Sequence, residues 1–140
     1  MSIFASETQA TIPIPFDPPH TVTIRRLTGA EVERAQSEHL KSIINGRSSR
    51  GWSRVFQRAL VKGASEADAE AALRDPLNGY DRAVIVEAGL LAWSYGEVTP
   101  ERRADLDDEA LEFLAHEILR LTKPALFQTA DEIEAAQVKG

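Results

Sequence analysis

Apolar and polar residues alternate at two places early in the chain: Ile12, Ile14 and Phe16 interleave with Thr11, Pro13 and Pro15, and Val22 and Ile24 with Thr21, Thr23 and Arg25. A period of two marks half-buried strands, so a hairpin is predicted with Asp17-Pro18-Pro19-His20 as its turn. Prolines 13 and 15 fall on one side of the alternation and donate no ladder hydrogen bond, which makes the first strand an edge or merely extended. From Thr28 the period lengthens to that of a helix. Thr28 and Glu31 stand at capping-box spacing, and Val32, Ala35, Gln36, His39, Leu40 and Ile43 recur at helical intervals until Asn45-Gly46 supplies a left-handed stop. Trp52, Val55, Phe56, Ala59 and Leu60 make a second stripe, and Ser65-Glu66-Ala67-Asp68 opens a short third helix that ends at Pro76. Tyr80, Val84, Ala88, Leu91 and Tyr95 predict a central buried helix over residues 79–95, ended by Gly96. After a single turn at Thr99-Pro100-Glu101, Leu111, Leu114, Ala115, Ile118 and Leu121 carry a last helix over 107–122.

The expected fold is therefore mainly α with a small N-terminal β-hairpin, a compact helical domain of about five helices spanning residues 1–140. The helices over 79–95 and 107–122 are expected to pack antiparallel with Trp93 in the core. Residues 1–9 and 125–140 read as flexible or partly ordered termini, with Thr129 to Val138 either a short helix or a frayed tail. The loop from Arg47 to Gly51 is expected to be mobile.

A composition of 43% hydrophobic and 27% charged residues suits a folded domain and is too apolar for a wholly disordered chain. The absence of cysteine rules out disulfides, thiolate metal sites and a cysteine nucleophile, and fits a reducing compartment. Ala83 to Trp93, the longest apolar stretch, is interrupted by Glu87 and falls far short of the ~20 residues that span a bilayer, and the first residues lack the pattern of a signal peptide. No membrane association or export is expected.

Catalytic constellations are not evident. His20, His39 and His116 are not at metal-ligand spacing, and Asp105, Asp107, Asp108 and Glu109 suit a helix N-terminus better than a cation loop. Glycine-rich phosphate loops and nucleophile elbows are missing. A non-enzyme without metal or cofactor is the expectation.

Charge changes the picture more. Between His39 and Ser65 lie Lys41, Arg47, Arg50, Arg54, Arg58 and Lys62 and no carboxylate, so that within a net charge of −6 the rest of the chain carries −12. Three readings of this segment stand: a solvated helix face, a docking site for an acidic partner using Arg47, Arg50, Arg54 and Arg58, or a nucleic-acid surface. The negative total makes nucleic acid the least favoured. A second candidate surface is the strand bearing Val22 and Ile24, because a lone hairpin leaves an edge, at Thr21 to Leu27, for a partner or a second copy of the chain.

Three stretches resemble the tail assembly chaperones of long-tailed bacteriophages and prophages. They are the strand and capped helix Val22-Thr23-Ile24-Arg25-Arg26-Leu27-Thr28-Gly29-Ala30-Glu31, the helix from Val84 through Trp93, and Val98-Thr99 followed by Leu106-Asp107-Asp108-Glu109-Ala110-Leu111-Glu112-Phe113-Leu114. The resemblance implies a small, mostly helical, non-catalytic protein that binds the tape measure protein, the tail tube protein or both during tail assembly. It implies action in the host bacterial cytoplasm and absence from the mature virion, and it brings no motif-level binding residues. Residues 41–76 depart from the pattern and read as a lineage-specific insertion. Two alternatives fit the same profile: a minor phage structural protein, such as a tail-completion or head–tail joining subunit, and a nucleic-acid-binding regulator.

Overall fold

A computed structural model describes residues 3–46 and 50–127. Among them are three strands, β1 (Gln9–Pro13), β2 (Thr21–Arg25) and β3 (Leu90–Trp93), and six helices: α1 (Gly29–Ile44), α2 (Arg54–Ala59), α3 (Glu66–Arg74), α4 (Arg82–Gly89), α5 (Pro100–Ala104) and α6 (Asp108–Thr122). Short 3-10 turns occupy Ala5–Glu7 and Pro124–Phe127. The fold is mainly helical with a small antiparallel sheet, as the periodicity predicts, but the sheet has a third strand. Gln9 begins β1, and Phe127 packs on His116 and Arg120. Residues 128–140, including the Thr129 to Val138 stretch, lie outside the described residues.

The sheet order is β1-β2-β3, with β2 in the middle. Ile14 N–H donates to the His20 carbonyl at 3.0 Å and Arg26 N–H to the Thr8 carbonyl at 2.8 Å. Antiparallel hydrogen bonding alternates residue by residue, so the even-numbered residues of β1 bond to β2 and the odd-numbered ones face outward. Pro13 therefore stands where no ladder donor is needed, and it makes β1 the edge that its proline predicts. Val22 and Ile24 turn inward and are 1% and 2% exposed.

Thr28 and Glu31 form the expected capping box: Glu31 N–H donates to Thr28 Oγ1 at 3.2 Å and Thr28 N–H to Glu31 Oε1 at 2.8 Å. The Arg25 guanidinium binds the same carboxylate with both terminal nitrogens, at 2.9 and 2.5 Å, tying the end of β2 to the start of α1. These contacts outweigh the cost of burying Glu31 and hold its carboxyl below its ordinary 4.5. Ser65 and Asp68 repeat the box at α3.

The predicted helix over 79–95 is instead an eight-residue helix followed by a strand. α4 starts at its Asp81 cap and ends at Gly89, and Leu90–Trp93 then pairs with β2 through Val22↔Trp93, Thr23↔Ala92 and Ile24↔Leu90. Leu91 is the extra residue of a bulge in that pairing. Apolar residues at i, i+4 and i+7 satisfy either structure here, and the unpaired side of β2 decides for the strand. Trp93 is consequently partly buried at the sheet rather than enclosed between helices.

α4 and α6 also run in the same direction, contrary to the antiparallel expectation. Arg82, at the start of α4, reaches Asp108 and Glu112 at the start of α6, while Gly89, at its end, abuts Ile118 near the end of α6. β3, its turn and α5 return the chain to the first end before α6 begins. The core joins Val22, Ile24 and Leu27 to Ile85, Leu114 and Ile118. Leu27 N–H donates to Thr122 Oγ1 across 95 residues of sequence. Trp52 and Ala72 are buried apart from that core, where α2 and α3 pack on each other and Trp52 and Phe56 meet Ser42 and His39 of α1. Trp52 precedes α2, whose cap is Ser53. No helix of the described residues is long and apolar enough to cross a membrane.

Candidate protein-binding site

The basic segment divides into anchored and free cations. Arg47 lies outside the described residues, as does most of the loop expected to be mobile. Arg50 and Gly51, at the end of that loop, are fastened: the Gly51 carbonyl accepts from Arg82 N–H at 2.8 Å, and the Arg50 carbonyl accepts from Arg82 Nη2 at 2.8 Å. The Arg50 guanidinium donates to the Leu106 carbonyl at 2.6 Å. Arg54 stands 3.2 Å from Asp108, and its N–H donates to Glu112 at 3.3 Å. Arg50 and Arg54 are thus turned toward the protein's own α6 end. Arg58 and Lys62 are exposed and make no ion pair among the described residues.

Val22 and Ile24 are not a docking strand. β2 is paired on both sides, and both side chains are core residues, so the Thr21 to Leu27 segment has no free edge for a second chain. The sheet completes itself with β3, which the helical reading of Leu90–Trp93 concealed.

Arg82, passed over in the sequence, is the hub of the anchored cations. It is fully buried and binds Glu112 Oε1 at 2.8 Å and Asp108 Oδ1 at 2.7 Å. Burial alone would raise the Glu112 carboxyl, but His116, Arg82 and the Arg54 N–H together pull it below its ordinary 4.5. His116 Nε2 lies 3.8 Å from Glu112 Oε2 and 3.9 Å from Asp75 Oδ1. Three groups meet here at fixed distances, but the guanidinium stays charged and its carboxylates are engaged, so the arrangement clamps the loop end to α6.

Among the described residues, His20 and Ser94 form a pair resembling a base and a nucleophile, with Nδ1 and Oγ 2.7 Å apart. The hydroxyl already accepts from Thr21 N–H at 3.0 Å, and Asp17 bonds to Tyr95 rather than to the imidazole. The triad logic lacks its orienting acid, and the contact pins the hairpin turn to the residue after β3. Among the described residues no group of three His, Cys, Asp or Glu side chains is placed to hold a metal ion.

An open cleft of about 350 Å³ lies between the hairpin turn, β3 with its following turn, and the α5–α6 corner. Phe16, Trp93, Tyr95 and Phe113 supply aromatic walls, with Ile14 and Leu106 beside them. Phe16 packs edge-on to Phe113 at 5.5 Å between ring centres, and Trp93 edge-on to Tyr95 at 5.9 Å. The charged rim is Asp17, Asp105 and Asp107 against Arg102 alone. Tyr95 donates to Asp17 Oδ2 at 2.5 Å, and desolvation together with that bond and the Asp17 charge pushes its hydroxyl up to about 12. Asp107 Oδ1 caps α6 by accepting from Ala110 N–H at 2.8 Å, while the Asp105 carboxylate has no partner among the described residues. The sequence hid this cleft because its walls come from four separate segments, each of which reads locally as turn, core or cap.

Compared with known proteins, the chain matches no protein-family model, no curated protein and no solved structure.

Proposed function

We propose that this chain is a non-catalytic binding protein of the tail assembly chaperone type, which holds the tape measure protein, the tail tube protein or both in the host cytoplasm while a phage tail is built. The observation that carries the reading is the mutual arrangement of the three stretches on which the resemblance rests. β2 and the start of α1, α4 running into β3, and α6 are one connected framework, with β2 paired to β3 and the Leu27 N–H, just after β2, bonded to Thr122 at the end of α6. Around it the surface offers an open aromatic cleft and exposed apolar residues on α1 to α3, which suit transient protein contacts.

Co-expression of the chain with the neighbouring tail tube and tape measure proteins, followed by affinity capture, tests this directly. One or both should copurify, and mass spectrometry of purified particles should not find the chain. Capture of neither, with the chain present in particles, would replace this reading with that of a tail-completion or head–tail joining subunit.

A further inference from the structure

The aromatic cleft and the free end of the basic segment are complementary surfaces on one chain. Arg58, Leu60, Val61 and Lys62 project from the end of α2, with Leu60 and Val61 55% and 63% exposed although both are apolar. The two cations stand without ion pairs among the described residues, while Arg50 and Arg54 of the same segment are engaged with α6. The cleft joins an apolar aromatic interior to a rim with three carboxylates and one guanidinium.

We propose that the α2 end of one copy of this chain docks into the aromatic cleft of a second copy, giving a head-to-tail self-association. Leu60 and Val61 enter between Phe16, Trp93 and Phe113, where apolar area leaves water. Arg58 and Lys62 lay their aliphatic stems along the aromatic rings, with the charged heads toward Asp17 and Asp105. The contact joins two different patches, so a pair of copies still has one cleft and one α2 end free, and association continues into a ring or an open chain rather than stopping at a symmetric dimer. It uses no strand edge and so differs from the pairing that the hairpin suggested. It is independent of the tail-assembly reading, because it needs no second protein.

The test is a charge exchange followed by sedimentation across micromolar to millimolar concentration at low and high salt. Wild-type chain associates progressively, and less so as salt rises. Asp17→Lys with Asp105→Lys makes the cleft rim basic, and Arg58→Glu with Lys62→Glu makes the α2 end acidic. Each double variant alone faces like charge and should associate at least about tenfold more weakly than wild type, a difference of ~1.4 kcal/mol. All four positions are exposed, and circular dichroism checks that both variants keep their helices. Mixing the two restores association, because each α2 end then meets a cleft of opposite sign. A strictly monomeric wild type overturns the proposal whatever the pull-down with tail proteins shows, and so do variants that associate like wild type or a mixture that stays apart.

Discussion

Removing the Arg82 guanidinium, itself fully buried, would take from Glu112 its side-chain donor, leaving the Arg54 N–H, and from the Arg50 carbonyl the Nη2 bond. Breaking a buried ion pair by deleting one partner costs about 3–5 kcal/mol, whereas replacing both partners with packing side chains is often close to neutral. Arg82→Met should therefore unfold at much lower urea than wild type, and Arg82→Met with Glu112→Met should recover a large part of the loss; a double variant as unstable as the single one would contradict this account. His39 is titratable for a different reason. Burial, partly opposed by the Asp81 charge, holds its imidazole below the ordinary 6.5. The unfolded chain then takes up this proton at a higher pH than the folded one, so the His39 contribution to stability is complete above pH 6.5 and is lost as the pH falls through and below it. Urea titrations at pH 7.5, 6 and 5 should show that decline, with a shallower slope in His39→Leu. Glu112 and Glu31, both held below 4.5, have the same sign but act lower: their stabilisation is present above that value and disappears as each carboxyl is protonated.

At the scale of elements, α4 packs closely on α6. A Cβ placed on Gly89 would sit 2.5 Å from Ile118 Cγ2, so α4 and α6 touch through a glycine. Gly89→Ala is expected to destabilise by about 1–3 kcal/mol through overpacking, despite the better helix propensity of alanine, and Gly89→Ala with Ile118→Val should regain part of it. Thermal denaturation of the two variants decides the matter. The elements that could be read from sequence are those with a local signature: the Thr28–Glu31 and Ser65–Asp68 boxes, the apolar stripe of α6 and Pro13 of β1 all lie where short-range rules put them. What could not be read depends on distant partners. Leu90–Trp93 becomes a strand because β2, some seventy residues earlier, has a side to fill; α4 and α6 run parallel because of what β3 and α5 do between them. The site divides in the same way. Arg58 was found by charge counting, whereas Arg82 lacked any local signal beyond its place after an Asp81 cap, and the cleft exists only once four segments meet.

For the molecule as a whole, the polarised charge resolves into two populations with opposite expected behaviour. A docking site is one reading of Arg47, Arg50, Arg54 and Arg58, but Arg50 and Arg54 are structural, since Arg54→Glu would set a carboxylate against Asp108 and Glu112. Arg50→Glu with Arg54→Glu should lower the melting temperature by several degrees, while Arg58→Glu with Lys62→Glu leaves it within a degree or two; the converse ranking in a thermal scan would show the anchored and free cations to be wrongly assigned. The bond between Leu27 and Thr122 has a consequence on another timescale, that of synthesis. A ribosome adding roughly 5–20 residues per second needs on the order of 5–20 s to travel from one to the other. Through about the first two thirds of that interval the nascent hairpin has neither β3, which ends at Trp93, nor its α6 cover. Its inner strand waits for β3, and its outer edge offers the few donors that Pro13 and Pro15 have not removed. The prolines thus guard the newborn chain against pairing with its polysome neighbours before the finished fold has any use for them.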